Sequence, residues 1–399
     1  MMLDKKLSSL KNKITPILFN QRIIFLFFCI ITVIVSIQKC VTDNNGVYLI
    51  YKNASLSLVT HNNPYLVKLY LYSPTFAVFF LSFAYLPDLI GCILWNLLSI
   101  VLLLISINLL KIESKEKSIM YWIIFVEALT CLQNYQANIF ATAFMLFVFV
   151  AFQRNKYFAA AFCAGLGFFI KIFGIGFAIL FLFYQKKIKF ILYLLVSFGI
   201  LFFIPIFFIG FDINYLMDMY KVWFLALGRN VGNDPEHFIS IFTILQTWFN
   251  LKLSAGNINS NLIYFIQAAS LFILLLPLVR LSKYKSNTYQ LLYISSLLIW
   301  IVIFNPKAES PTYIIAMTGV AIWFVVQKRT RLTIVLLAFA ILFTSFISTD
   351  LFPPILRDCL PYGMKAVPCI IIWIIVQAQL LFMSFNATPS KIDCDLSLS

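Results

Sequence analysis

Apolar runs of roughly 17–25 residues recur from Ile23 to Gln379, and they constrain the fold more than any other feature of this chain. A run of that length matches a helix that crosses the hydrocarbon core of a bilayer. Charged residues make up only 11% of the sequence, whereas soluble domains carry about 25%. The runs also lack the ~10-residue alternation of an outer-membrane barrel. The sequence therefore predicts an all-α polytopic membrane protein with about 12–13 transmembrane helices.

Basic loops indicate which helix ends face the cytoplasm, because Lys and Arg concentrate on that side. This accounts for the net charge of +15 without a nucleic-acid partner. The prediction is a cytoplasmic basic N-terminus at 1–22, a transmembrane domain at 23–386 and a cytoplasmic tail at 387–399. The eight cysteines form no CxxC pair, which argues against a metal site or a disulfide framework. The basic loops are KIESKEKS (111–118), QRNK (153–156), QKKIK (185–189), RLSKYK (280–285) and QKRTR (327–331).

Two intervals, 118–153 and 156–185, each begin and end at a basic loop but are too short for two full crossings. Each is predicted to form a hairpin of two short helices. Lys171 lies at the second tip, and non-helical backbone at such depth is tolerated where it is buried or lines a wet cavity. We therefore expect the first tip to face a polar cavity that is open to the outside. The first tip, QNYQAN, carries four side-chain amides: Gln133, Asn134, Gln136 and Asn138.

One pair of apolar segments conflicts with the charge rule. If Tyr72–Leu86 and Asp88–Leu110 both crossed the membrane, the basic loop 111–118 would lie on the outside. Either one of the two segments does not span, or this loop breaks the rule.

Ionisable residues at membrane depth are candidates for chemistry. Glu127 shares a helix face with Cys131 and Asn134 by its spacing, so it either faces the cavity or only pins the hairpin. Lys171 lies between two apolar runs, and a buried Lys needs an anion. That anion is either a phosphate of a substrate or Glu127 in a structural pair.

Two further candidates occupy NPKAESPT (305–312), a turn stiffened by two prolines. Lys307 and Glu309 in this turn suit phosphate contact or proton transfer, or they form a solvated ion pair. The first outside loop, 41–76, offers Asp43 beside aromatic and amide side chains. Such a set suits a sugar site, although an interfacial aromatic belt has the same composition. Its candidate substrate-binding residues are Tyr48, Lys52, Asn53, Tyr65 and Tyr72.

Three segments resemble glycosyltransferase family 87. NNPYLVKLYLYSPTFAVFFLSFAYLPDLIGCILWN is similar to that family's Asn-Pro-Tyr, Tyr-Ser-Pro-Thr-Phe, Leu-Pro and Leu-Trp-Asn series. LQNYQAN followed by QRNK and FIKIF resembles its Gln-x-Asn, basic-loop and Ile-Lys series. IFNPKAESPTYIIA stands where the family carries a Ser-Pro motif. The resemblance covers most of Val41–Ile371, in a variant of the kind found in Bacteroidetes-type bacteria.

The resemblance implies a GT-C type bundle with a long first non-cytoplasmic loop, in a multi-pass protein of the bacterial inner membrane. Such enzymes transfer a hexose or pentose, mannose among them, from a polyprenyl-phosphate donor to a lipid or glycan acceptor at the periplasmic face. The donor is a substrate, and no cofactor or metal is expected. The resemblance assigns the base to Asp43, with Glu127 or Glu309 as substitutes. It places sugar or phosphate contacts on Lys171 and the four amides, and Lys307 or Glu309 stands in for the family's His.

Two other functions remain open. A transporter or flippase of a lipid-linked sugar would use the same cavity but needs a path to both faces. The resemblance places the family's acidic residue at Asn45 or Gly46, two or three residues from Asp43. A non-catalytic membrane partner would fit if this displacement means that the base has been lost.

Overall fold

The computed structural model describes residues 18–228, 238–251 and 260–385, and every regular element in these ranges is helical. The all-α prediction is therefore confirmed. Most of the predicted N-terminal segment 1–22, and all of the tail 387–399, lie outside the described residues. The α-helices in chain order are α1 Gln21–Val41, α2 Gly46–Val59, α3 Pro74–Ala84, α4 Asp88–Asn108, α5 Ser114–Gln133, α6 Asn138–Gln153, α7 Tyr157–Ile170, α8 Lys187–Phe203, α9 Ile213–Gly228, α10 Ile241–Phe249, α11 Ser260–Leu275, α12 Asn287–Ile303, α13 Tyr313–Val325, α14 Arg331–Ala340, α15 Pro354–Cys359 and α16 Val367–Phe382.

Short 3₁₀ helices connect several of these elements, and a π-helical segment, Ile341–Phe346, continues α14. The 3₁₀ helices are Pro64–Leu66, Ile172–Phe183, Ile204–Phe208, Leu276–Val279, Leu281–Lys283, Ser310–Thr312 and Met364–Ala366.

Five described helices are long and apolar enough to cross a membrane: Gln21–Val41, Asp88–Asn108, Lys187–Phe208, Asn261–Val279 and Met364–Phe382. Seven shorter apolar helices of 10–17 residues accompany them. The number of about 12–13 transmembrane helices stays a prediction. One of the seven is α3, whose 11 residues rise about 16 Å against a core of about 30 Å. The region Tyr72–Leu86 therefore does not span. Asp88–Asn108 is long enough to cross by itself, and this single crossing before the loop 111–118 agrees with the charge rule.

The basic loops meet at one end of the bundle, called the basic end from here on. Gln21 of α1 donates its amide N–H to the Ser114 carbonyl at 3.0 Å. Asn287 donates to the Lys111 carbonyl at 3.0 Å and accepts from Gln153 at 2.8 Å. Four separate loops are thus joined by hydrogen bonds, so the helices between them run to and from a common surface.

Both predicted hairpins are present. Helices α5 and α6 are joined by a turn at 134–137, and Lys171 separates α7 from the 3₁₀ helix Ile172–Phe183. The second hairpin is closely packed, because a Cβ on Gly174 would lie 2.5 Å from the carbonyl carbon of Gly167. This approach of two backbones requires glycine at position 174.

The first outside loop folds into α2 and α3, which pack against each other. The Tyr48 hydroxyl donates to the Phe83 carbonyl at 2.8 Å, and Lys52 forms a 2.6 Å ion pair with Asp88. Rings of this loop, including Tyr48 and Tyr65, are buried in an aromatic core. They do not form an interfacial belt, because a belt residue keeps its polar tip in the headgroup layer.

Candidate functional site

Gln136 and Glu309 meet at the end of the bundle opposite the basic end. The Gln136 amide donates to the Glu309 carboxylate across 3.4 Å, although the two residues are 173 positions apart. Gln136 lies in the turn between α5 and α6, and Glu309 immediately precedes the 3₁₀ helix Ser310–Thr312. Glu309 is exposed and Gln136 is half-buried. An accessible carboxylate, which can accept a proton, therefore stands beside the tip of the first hairpin.

Lys171 adds a cation to this carboxylate and amide. Its Nζ lies 4.9 Å from the centroid of the Tyr72 ring, and the Tyr51 hydroxyl donates to that of Tyr72 at 2.7 Å. The Glu309 charge acts on both Lys171 and Tyr51. The pKa of Tyr51 is raised well above its ordinary value, mainly by burial and further by Tyr72 and Glu309. Tyr51, Tyr72, Gln136, Lys171 and Glu309 are called the Glu309 cluster below.

A buried ion pair lies next to the Glu309 cluster. Lys365 Nζ contacts Glu127 Oε1 at 2.8 Å and donates to Ser310 Oγ at 3.0 Å. The same ammonium lies 5.2 Å from the centroid of the Tyr313 ring. Because Ser310 follows Glu309 directly, the pair anchors the turn that presents the accessible carboxylate. The proposed pairing of Glu127 with Lys171 is therefore wrong, since Lys365 is the partner.

Local backbone features bring Lys365 to this position. Gly363 adopts a left-handed conformation at φ +92°, which glycine permits, and it opens the 3₁₀ helix Met364–Ala366. The Thr344 hydroxyl, in the π-helical segment, donates to the Lys365 carbonyl at 2.9 Å. These two features aim the Lys365 side chain into the bundle.

Cys131 and Asn138 complete the polar interior beside this pair. The Cys131 thiol donates to the Pro311 carbonyl at 2.8 Å, so it shares with Glu127 the face that meets the 310–312 turn, as predicted. Asn138 is 1% exposed, and within the described part of the chain its amide has no hydrogen-bond partner. Glu127 Oε2 likewise has none there. Asn134 does not share this face, because its amide is exposed and donates back to the Thr130 carbonyl.

Several predicted substrate contacts are engaged elsewhere. Lys52 pairs with Asp88, and Lys307 donates to the Leu227 carbonyl at 2.9 Å. Burial lowers the pKa of the Lys307 ammonium. The Tyr65 hydroxyl donates to the Tyr72 carbonyl at 3.0 Å, so it braces the backbone of the cluster. These contacts link structural elements to one another.

Asp43 lies in the turn between α1 and α2, at a left-handed φ of 54°. Its carboxylate is exposed and forms no hydrogen bond or ion pair with any described residue. Asn53 is exposed and Gln133 is half-buried. None of these three side chains is joined to the Glu309 cluster by a contact among described residues.

Sequence reasoning named four of the five cluster residues and missed Tyr51. It also missed Lys365, which lies next to the cluster. Tyr51 stood unnoticed beside other tyrosines. Lys365 carried a usable signal, as a lone cation at the head of the apolar helix α16. Among the described residues, no group of three or more His, Cys, Asp or Glu side chains could hold a metal ion. The cluster instead combines a proton acceptor with a cation.

Comparison with known proteins gives one finding. A family model described as Glycosyltransferase family 87 matches residues 70–349, which is more than half of the chain. The matched range contains Tyr72, Gln136, Lys171 and Glu309. No curated protein and no solved structure gives a significant match.

Proposed function

Because the chain belongs to glycosyltransferase family 87, and is thus a membrane glycosyltransferase, we propose that it transfers a sugar from a polyprenyl phosphate to a hydroxyl group of a lipid or glycan. The observation that carries the proposal is the convergence of an exposed carboxylate, an amide and a Lys in the Glu309 cluster. A transfer of this kind needs a base for the acceptor hydroxyl and a cation for the departing phosphate.

Glu309 is the proposed base. As the acceptor oxygen bonds to the anomeric carbon, its proton passes to the Glu309 carboxylate, and the bond between that carbon and the phosphate oxygen breaks. A positioned carboxylate in this role contributes typically about 10²–10⁴-fold to the rate. Gln136 donates to the same carboxylate and so holds its orientation.

Lys171 is the proposed partner of the phosphate that leaves. The Tyr72 ring supports its ammonium from one side, and the charge of Glu309 acts on it. A fixed cation at the point where negative charge develops stabilises the transition state more than the ground state. The apolar helices around this end offer a surface on which a prenyl chain can lie.

The other two carboxylates suit this role less well. Glu127 is fully buried and its charge is compensated by Lys365, so it braces the site. Asp43 is accessible and is the second candidate for the base, since a loop carboxylate can turn toward a bound substrate.

The positions of the charges support a proposal for the sidedness of the reaction. If the basic end faces the cytoplasm, the Glu309 cluster opens on the opposite face, the periplasmic one in a bacterial inner membrane. A flippase or a non-catalytic partner is the rival function. A transferase is favoured over both by the family and by the accessible carboxylate in the cluster.

The decisive experiment is a transfer assay with the purified chain, a panel of radiolabelled polyprenyl-phosphate sugars and a crude lipid extract as acceptor. Wild type should transfer at least one sugar, Glu309→Gln should not, and Asp43→Asn should retain activity. Loss in Asp43→Asn alone would move the base to the first loop. No transfer from any donor, with movement of labelled lipid across proteoliposomes, would refute the proposal in favour of a flippase.

A further inference from the structure

A groove at the basic end takes no part in the proposed transfer. It has a volume of about 380 Å³ and lies between α1, α4 and α5. Its lining is formed by Gln21, Arg22, Phe25, Leu104, Ile105, Asn108 and Tyr121. The polar members of this set lie at the ends of α1 and α4, and the apolar members lie further along the helices. The groove therefore has a polar mouth and an apolar wall.

The mouth carries positive charge that no described carboxylate compensates. Arg22 is exposed, and its guanidinium forms no hydrogen bond or ion pair with a described residue. Lys117 Nζ donates to the carbonyl of Asn108 at 2.5 Å, a neutral partner on the rim. Glu116, the acid next to Lys117 in the chain, is paired with Arg329, and the exposed Glu113 forms no ion pair with Arg22 or Lys117. A guanidinium presents several N–H donors in a plane, a geometry that suits a phosphate group.

The wall continues onto the outer surface of the bundle. Phe25 is 38% exposed and Ile105 is 40% exposed, and the exposed side chains of Leu26 and Ile30 extend the same surface along α1. Because α1 is one of the helices able to cross a membrane, this surface faces acyl chains. A ligand of this groove must therefore be anionic at one end and apolar at the other.

We propose that the groove binds an anionic phospholipid, with the phosphate on Arg22 and one acyl chain against Phe25 and Ile105. Basic pockets between transmembrane helices attract anionic head groups by the same electrostatics. The site lies at the opposite end from the Glu309 cluster, so the inference stands independently of the proposed transfer.

Native mass spectrometry of the full chain, delipidated in detergent, tests this inference. The protein is titrated with phosphatidylglycerol and with phosphatidylcholine that carries the same acyl chains. We expect phosphatidylglycerol to bind more tightly, and Arg22→Gln to weaken it about fivefold, the effect of one cation at a lipid surface. Ile105→Trp, which fills the groove but keeps the charge, should also weaken it. Lys285→Gln removes an exposed cation from the same end and should leave binding unchanged.

Four results would overturn the inference. Equal affinity for both lipids would show that charge is not recognised. An equal loss in Arg22→Gln and Lys285→Gln would mean diffuse attraction to the basic end. Displacement by millimolar inorganic phosphate, with no effect of Ile105→Trp, would indicate a soluble anion. An unchanged affinity of Arg22→Gln for phosphatidylglycerol would also contradict the proposal.

Discussion

Lys365 and Glu127 form a buried ion pair of 2.8 Å between positions 238 residues apart. Their side chains are 3% and 0% exposed, so neither charge is solvated by bulk water. Ser310 accepts a further hydrogen bond from the same ammonium. The pair thus joins α5, the turn that carries Glu309 and the start of α16. It holds the turn of Glu309 in place from the buried side.

Removal of one partner should destabilise the protein strongly. Lys365→Met leaves the Glu127 charge buried and uncompensated, and we expect a loss of about 3–5 kcal/mol in the free energy of unfolding. The double variant Glu127→Gln/Lys365→Met should lose less than Lys365→Met alone. Unfolding in detergent measures both.

The exposed pair of Lys221 and Asp218 is the matched control, with side chains 71% and 63% exposed. Lys221→Met should change the stability by at most about 1 kcal/mol. If Lys365→Met were as mild as Lys221→Met, the buried pair would not anchor the site.

The amides of the first hairpin should differ in importance. Gln136 donates to Glu309, whereas Asn134 donates to the carbonyl of Thr130 in its own helix. Gln136→Ala should therefore lower the rate of sugar transfer about tenfold, the effect of one hydrogen bond to a charged group. Asn134→Ala should transfer sugar at the wild-type rate. The opposite order of rates would mean that Asn134 contacts the substrate.

Substitution of Lys171 should slow the sugar-transfer step itself. Lys171→Met should lower kcat by about 10²–10³-fold, as expected when a preorganised contact to developing charge is removed. Lys171→Arg should recover part of that loss because it restores the charge. Lys52→Met, which removes a cation already paired with Asp88, is the control. Single-turnover kinetics at saturating donor measure the step, and a change in KM alone would argue against this role.

Gly174 should tolerate no side chain. A Cβ at this position would lie 2.5 Å from the Gly167 backbone, so Gly174→Ala must open the second hairpin. We expect a destabilisation of about 1–3 kcal/mol, typical of overpacking. At Gly176 the nearest atom to a new Cβ is the Ile301 methyl at 3.6 Å, an ordinary contact. Gly176→Ala should therefore unfold at nearly the wild-type temperature, and equal losses in the two variants would contradict the close approach.

The two hairpins were predictable because they depend on local quantities. The distance between two basic loops along the chain limits how far the intervening helices can travel, and that distance is read directly from the sequence. The same reasoning placed Gln136 and Lys171 at hairpin tips. The conflict over Tyr72–Leu86 was also visible, and the 11 residues of α3 resolve it.

The partners of the buried charged side chains were not predictable from the sequence. The sequence analysis left open whether Glu127 faces the cavity, pins the hairpin or pairs with Lys171, and the structure pairs it with Lys365. Lys307 was expected to contact phosphate, but it reaches the Leu227 carbonyl at the end of α9. Each outcome depends on which helices become neighbours, and residue spacing within one helix carries no information about that.

The sequence alone determined the membrane-spanning helical class, the basic end, the hairpins and the family resemblance, because apolar length, charge placement and short motifs are local properties. Only the tertiary structure decided that Gln136 meets Glu309, that Lys171 lies on Tyr72 and that Lys365 neutralises Glu127. The physical reason is that a charge in an apolar interior must be paired or solvated, and helix packing decides which partner lies within reach.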